Sequence, residues 1–358
     1  MNAGRRDTHE QRPSSSRSGG FVRAAASLGL SGRYAVQSRE ARAGLQLWAT
    51  DCGVELVTVD DEGTSSRAVG VYRALLAEGA EILLGPYGSH MVRQVAPVVC
   101  GAGRVLWNHG GAADDLPVPG LASVVAPASS YLHGLVRLAR EMGLDELVMA
   151  TGRGRFAEQV GDGALRTAAA HGMRTRHLRA GEWDTLIDER RHGQAALLRH
   201  AALAVVGTFD EDVAAVSRLG EAGLEIGLLS CVAAGIEEFG RRVGSRAEGV
   251  VGPVQWWCGD EPAEVGPSGQ EFARRFQQRF GHTPDYVAAQ AAAAGYLALE
   301  AHRRGYGAAD IQGWRTSSLL GPFRLDGSWR QIGHVPATVQ WRDRRRIVVA
   351  EGPRPCGD

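Results

Sequence analysis

The stretch from Glu81 to Leu116, E-I-L-L-G-P-Y-G-S-H-M-V-R-Q-V-A-P-V-V-C-G-A-G-R-V-L-W-N-H-G-G-A-A-D-D-L, constrains the fold more than any other part of the chain. Ile82-Leu83-Leu84 is an apolar run of buried-strand length. Gly85-Pro86-Tyr87-Gly88-Ser89 is turn chemistry. Met91 to Val99 carries apolar residues at helical spacing, and Gly101 and Gly103 stop that helix. Val105-Leu106-Trp107 resumes a strand, which Asn108-His109-Gly110-Gly111 breaks. Strand, loop, helix, strand, loop is the unit of a parallel α/β sheet, and such sheets bind ligands at the carboxyl ends of their strands. The first loop offers the Tyr87 ring, the Ser89 hydroxyl and helix-opening amides suited to a carboxylate or amide oxygen. The second offers Trp107, Asn108, His109 and glycine amides. Neither supplies an obvious nucleophile. Two readings stay open on these residues, a polar-aromatic pocket or two ordinary turns with Trp107 in the core.

The same alternation runs outward on both sides. Phe21 to Leu30, Val54 to Val59, and the helices Ser38 to Asp51 and Thr64 to Gly79 precede the central stretch. After a strand at Leu121 to Ala126 it restarts. Strands are expected at Glu146 to Ala150, Ala202 to Val206, Ile226 to Ser230 and Gly249 to Val254. Helices are expected at Tyr131 to Met142, Gly152 to His171 and Glu211 to Gly223. Two long helices follow, Ser268 to Phe280 and Asp285 to Arg304. The end is β-like at Gly321 to Leu325, Val335 to Arg342 and Arg346 to Val349. This predicts an α/β protein of two similar lobes with parallel sheets.

Composition excludes several function classes. The 358 residues carry 40 basic and 40 acidic side chains, so no net charge draws the chain to nucleic acid or acidic membranes. Every basic residue other than histidine is arginine, and with 48 glycines this points to a GC-rich genome rather than to anion binding. The five cysteines are too scattered for a metal or redox motif. Residues 1–20 are polar and expected to be disordered. They lack the apolar core of a signal peptide, and no run approaches membrane-span length. On the chain as written a cytoplasmic location is expected; a mis-assigned start hiding an export signal would make it extracytoplasmic.

Gly152-Arg153-Gly154-Arg155-Phe156-Ala157 fits a dinucleotide-binding pattern in spacing and context. The acid that would hold the ribose is missing, because Thr175-Arg176-His177-Leu178 stands in its place, so no dinucleotide is expected. Ser89-His90 is not a nucleophile–base pair, since adjacent side chains diverge, and no G-x-S-x-G elbow or H-E-x-x-H pattern occurs. Asp60-Asp61-Glu62 and Arg342 to Arg346 read as solvated turns. Gln255-Trp256-Trp257 stays open between core packing and a cleft wall. No cofactor, metal or catalytic residue is predicted.

Several segments, in order over about residues 21 to 350, resemble the type I periplasmic binding proteins, nearest to the branched-chain amino acid and amide-binding group. They are Leu28-Gly29-Leu30-Ser31-Gly32, Gly85-Pro86-Tyr87-Gly88-Ser89-His90 with Val95-Ala96-Pro97, and Ala247-Glu248-Gly249-Val250. Phe272, Phe276, Phe280-Gly281-His282-Thr283-Pro284 and Gly321-Pro322-Phe323-Arg324-Leu325-Asp326-Gly327 complete the set. The resemblance implies two Rossmann-like lobes joined by a three-segment hinge, with the ligand in the cleft between them. It implies lobe 1 at 21–126 plus 253–319, lobe 2 at 127–252 plus 320–350, and tails at 1–20 and 351–358. Chain crossings are expected near 126, 253 and 320.

By position, Ser89 would bind a ligand carboxylate or amide, with Ser31 in the first ligand loop. Tyr87, Trp107, His109 and Gly110 would line the first lobe, and Phe156 and Phe209 the second. Cys231 or Ala233 would stand where amino-acid binders hold an acid for the ligand ammonium. The chain departs from those binders with His109-Gly110-Gly111-Ala112 in place of Ala/Ser-x-Thr, and with no arginine at Val124-Val125-Ala126. What the resemblance implies is non-catalytic capture of a small polar solute (amino acid, amide or similar) for an ABC-type importer, whose permease would be its partner. The alternative is a cytoplasmic ligand sensor resembling the amide-sensing proteins of amidase operons, acting on a regulator, and Tyr87-Gly88-Ser89-His90 is closer to that group. An enzyme is the third reading, against which the missing catalytic motifs count. No nucleic acid partner and no membrane insertion are expected, and oligomerisation is left open.

Overall fold

Two parallel sheets wind in the same order. The computed structural model describes residues 21–179 and 198–350, with Glu182, Leu186 and Asp188 between them. The tails expected at 1–20 and 351–358 lie outside the described residues.

In the first lobe the elements are β1 (Arg23–Leu28), α1 (Ala35–Cys52), β2 (Glu55–Asp60), α2 (Ser65–Ala77), β3 (Ile82–Leu84), α3 (Ser89–Gly101), β4 (Leu106–Asn108) and β5 (Leu121–Ser123). The strands lie in the order β2-β1-β3-β4-β5, all parallel. The chain then enters the second lobe with α4 (His133–Glu141), β6 (Glu146–Thr151), α5 (Arg155–Ala170), β7 (Arg174–Leu178) and β8 (Ala201–Val206). It continues through α6 (Phe209–Glu221), β9 (Leu228–Cys231), α7 (Glu237–Val243) and β10 (Val251–Val254). Their order, β7-β6-β8-β9-β10, repeats that of the first sheet.

Helices α8 (Gly269–Phe280) and α9 (Tyr286–Arg303) return to the first lobe and pack on α1. Helix α9 is hydrophobic all round, as a helix must be that is buried on every side. Its alanines and Gly295 keep it thin: Gly295 receives the Trp48 indole, and Gly44 of α1 lies against the Ala288 backbone. Helix α10 (Ala308–Gly313) and the hairpin β11 (Arg315–Ser318) and β12 (Gly321–Arg324) follow. Strands β13 (Ala337–Arg342) and β14 (Arg345–Ala350) then add antiparallel to the edge of the second sheet beside β10. The chain thus passes between the sheets three times, after β5, after β10 and before β13. The first two passages touch, where the Ala126 N–H donates to Gln255 Oε1 at 3.0 Å.

The main elements fall where periodicity places them, with ends shifted by a few residues. Helix α1 begins at Ala35 rather than Ser38, because the turn Gly32–Tyr34 already winds into it. Three short elements carry no periodic signal of their own, α7, α10 and β11. Trp256 settles as core, edge-on to Phe272 at 5.9 Å between ring centroids, while Trp257 is exposed. The turn Asp60–Glu62 is a hydrogen-bond hub: Asp60 accepts from Leu30, Ser31 and Glu62, and buried Asp61 from Ser27 and Gly63.

Candidate functional site

Loops after β1, β3 and β4 face loops after β6, β8 and β9 across a cavity of about 550 Å³. Each sheet reverses its winding direction between its first and third strands, at β1/β3 and β6/β8. The cavity therefore sits over two topological switch points, where open α/β sheets leave a crevice outside the strand ends.

In the first lobe the wall is built by close approach. Gly88 has φ 98°, a conformation disfavoured for residues with a Cβ, and a Cβ there would lie 2.8 Å from the Tyr34 ring. At Gly110 a Cβ would lie 2.7 Å from the Tyr87 backbone and ring. The two tyrosines meet edge-on with centroids 6.0 Å apart. Burial pushes the Tyr87 phenol far above its ordinary pKa, and the neighbouring Tyr131 and Tyr34 phenols add to the shift. Ser89 opens α3 and borders the cavity, but its oxygen accepts the N–H groups of Ala112 (3.1 Å) and Ala113 (3.0 Å). The hydroxyl oxygen thus ties the β3 and β4 loops together, and its hydrogen is left to donate.

In the second lobe Gly154, at φ 107°, turns the chain into α5 and presents Phe156, which meets Tyr131 edge-on at 5.4 Å. Thr208 and Glu211 form a reciprocal capping box that fixes the start of α6 and so places Phe209. One turn on, Asp212 is 1% exposed. Its oxygens accept the backbone N–H of Gly207 (2.7 Å) and Ala233 (2.9 Å). Burial pushes its carboxyl up to about 7, although those hydrogen bonds pull the other way.

The charge in the wall is unequal. Four arginines border the cavity, Arg33, Arg93, Arg153 and Arg155, against Asp210 and Asp212. Arg93 and Arg155 share Asp115, and Asp210 pairs with Arg242 at 3.0 Å. The Arg33 guanidinium lies 4.6 Å from the Tyr34 ring centroid. Among the described residues neither Arg33 nor Arg153 has a carboxylate partner. The surplus favours an anionic ligand group.

Of the residues singled out in the sequence, the structure brings Tyr87, Ser89, Gly110, Phe156, Phe209 and Ala233, the alternative to Cys231, to the cavity. Four others stand elsewhere. Ser31 is exposed and donates its hydroxyl to Asp60 at 2.9 Å, because the turn after β1 folds back on the turn after β2. Trp107 points into the core, 6.0 Å from Phe323 of β12. His109 is fully buried behind the wall with no partner for either ring nitrogen, and burial lowers its pKa to about 4. Cys231 is fully buried, and Val232, Ala233 and Ile236 reach the cavity in its place. The residues that local sequence did not reveal are Arg33, Tyr34 and Gln37 from the turn into α1, Tyr131 and Tyr286 at helix starts, and Asp212. Arg153 to Ala157 of the turn that fits a dinucleotide pattern border the cavity. No three His, Cys, Asp or Glu side chains among the described residues are grouped to hold a metal ion. Among them no helix is long and apolar enough to cross a membrane.

The sequence profile of the periplasmic binding protein family matches residues 22–318. Solved structures with this architecture include a leucine-binding protein LivK from Thermotoga maritima, at 13% identity with a TM-score of 0.78 over 94% of this chain and 99% of that one. The branched-chain amino acid transporter substrate-binding protein LivJ from Streptococcus pneumoniae, in complex with isoleucine, shares 14% identity with a TM-score of 0.77 over 93% and 100%. An ABC transporter solute-binding protein from R. palustris, in complex with benzoate, shares 17% identity with a TM-score of 0.74 over 92% and 96%. No curated protein sequence matches the chain. With two lobes of repeated winding, a cavity over both switch points and a profile match over most of its length, the chain belongs to the periplasmic binding protein family.

Proposed function

We propose that the chain is a non-catalytic solute-binding protein that captures a small organic acid in the interlobe cavity and delivers it to the permease of an ABC-type importer. The observation that carries this is the pairing of an aromatic wall with uncompensated arginines. Six aromatic side chains, Tyr34, Tyr87, Tyr131, Phe156, Phe209 and Tyr286, border the cavity, and together they suit a ring or a branched apolar body. Arg33, Arg153 and the Ser89 hydroxyl suit its carboxylate. The cavity volume lies in the ordinary range for small-molecule sites. Benzoate in the R. palustris protein and isoleucine in the S. pneumoniae protein are both carboxylates on apolar bodies. Among the described residues the wall contains no nucleophile hydrogen-bonded to a base, which supports binding without chemistry.

The ligand residues we assign are Tyr87, Ser89, Gly110, Phe156 and Phe209, joined by Tyr34, Arg33, Arg153 and Tyr286. We assign residues 21–126 and 253–319 to one lobe and 127–252 and 320–350 to the other, so that a ligand touching both favours lobe closure. A thermal-shift panel of benzoate, hydroxybenzoates, leucine, isoleucine, acetamide and urea tests the assignment. A ligand that binds only the folded state raises the melting temperature, by an increment that grows with its concentration. Stabilisation by at least one carboxylate is expected. Stabilisation only by the uncharged amides would contradict it.

A further inference from the structure

Among the described residues, the cavity wall contains one buried side-chain polar atom that no group of the protein answers. Gln37 lies in the first turn of α1 and borders the cavity, and it is 7% exposed. Its carboxamide oxygen is buried without a donor. Among the described residues its amide nitrogen has no acceptor either. In this orientation the amide leaves a buried acceptor over. Native proteins leave few such atoms, because a buried carbonyl that has given up water and found no donor is destabilising.

Other orphaned groups do not compare. The Ser38 hydroxyl and the Trp48 indole nitrogen are also without partners, but both are fully buried away from the cavity, where no solute reaches them. Asp212 borders the cavity from the opposite lobe, yet each of its oxygens already accepts a backbone N–H. Among the described residues, the Gln37 oxygen is the buried acceptor left without a donor in the wall. Arg33, Tyr34, Tyr87 and Tyr286 border the same cavity, and in this structure none of them donates to the Gln37 oxygen, which leaves that role to a solute.

We infer that Gln37 is a specificity-determining residue whose carboxamide oxygen accepts an N–H or O–H from the bound solute, so that the preferred ligand is an organic acid carrying a hydrogen-bond donor besides its carboxylate. This rests on the cavity binding an organic acid as proposed above. The consequence is discrimination: a plain acid of the same shape occupies the cavity but leaves the Gln37 oxygen unanswered, and it binds less tightly than its hydroxylated or aminated counterpart.

Matched acids test this by titration calorimetry. One set is benzoate, 3-hydroxybenzoate and 4-hydroxybenzoate; the other is 4-methylpentanoate, 2-hydroxy-4-methylpentanoate and leucine. Wild type is expected to bind at least one donor-bearing member about tenfold or more tighter than its parent acid. Gln37→Leu is expected to bind the parent acid at least as well as wild type does and to reduce the preference to within about threefold. Gln37→Met, which keeps the length of the side chain, is the second variant should the first fail to fold. Retention of the wild-type preference in the variant overturns the role of Gln37 and leaves the cavity as an acid site. A wild type that binds parent and donor-bearing acids equally overturns it as well. Failure of all six acids to bind wild type overturns the organic-acid assignment itself, and this inference with it.

Discussion

Asp285 and Arg346 form an ion pair at 2.7 Å whose side chains are 7% and 10% exposed, and the pair joins the two lobes. Asp285 immediately precedes α9, which packs on the first sheet, whereas Arg346 belongs to β14 of the second. Both Asp285 oxygens also accept the Glu237 N–H of α7 at 3.1 Å. The next residue, Tyr286, borders the cavity. At another point of contact Asp115 is held by Arg93 of its own lobe and by Arg155 and Gln159 of the other. Burial opposes its ionised form, but those hydrogen bonds hold the carboxyl down at about 2. Acidic residues of the first lobe thus receive basic groups of the second beside the ligand cavity.

Arg346→Met would leave Asp285 buried without its cation. Breaking a buried pair in that way costs about 3–5 kcal/mol where the charge stays buried. The lobes can relieve it by opening, since water then reaches Asp285. Weaker binding of the solute, by about tenfold or more, and a larger radius of gyration in X-ray scattering are expected. Unchanged affinity and radius would show that the pair does not hold the lobes together.

Ser89→Ala removes the acceptor of two backbone N–H groups, those of Ala112 and Ala113. Each donor left unsatisfied costs about 1–3 kcal/mol. A lower unfolding midpoint in urea is expected together with weaker solute binding. A variant as stable as wild type would mean that water replaces the hydroxyl without loss.

Gly110→Ala would drive a methyl group into the Tyr87 backbone and ring. Overpacking of this kind costs about 1–3 kcal/mol, and here the loops can separate only by moving a cavity wall. A loss of affinity larger than the loss of stability is expected from parallel calorimetry and urea melts. A normal affinity would place Gly110 outside the site.

Asp212 gives a pH dependence with a definite sign. Its carboxyl, buried, is held at about 7 in the fold, against about 3.9 in an unfolded chain. The folded state therefore keeps a proton that the unfolded state releases. The resulting stabilisation is complete below about pH 4 and is lost as the pH rises through about 7. Asp212→Asn lacks this dependence. The stability of the variant relative to wild type should rise with pH across that window, by up to roughly 1.4 kcal/mol per unit, and level off above it. A difference that stays constant in urea melts across the window would contradict the burial of a titrating carboxyl.

Much of this architecture could be read from the chain because each β-α unit carries its own period and its own turn chemistry. Tyr87 to Ser89, Arg153 to Ala157 and Phe209 all border the cavity for that reason, since they follow strands at the edge where such sheets bind. Side-chain direction at the strand ends could not be read. Trp107 faces the core because Phe323, more than 200 residues away in sequence, comes to meet it. Ser31 is taken by Asp60, and Cys231 sits one residue before the loop that reaches the cavity. Tyr131 and Tyr286 begin helices that look like any others, and only the packing of one lobe against the other makes them cavity walls. Gln37 lies on a helical turn that starts before the periodic signal of α1, so nothing local marks it.

The most direct test is calorimetric titration of wild type, Tyr87→Ala and Phe209→Ala with the best carboxylate from the thermal-shift panel. Tyr87 belongs to the first lobe and Phe209 to the second, and both border the same cavity. Truncating an aromatic side chain that packs on a ligand removes about 1.5–3 kcal/mol of burial, a factor of roughly ten or more in affinity. One-to-one binding to wild type, weakened by at least that factor in each variant, is expected of a solute held between the lobes. Wild-type affinity in either variant would contradict an interlobe site.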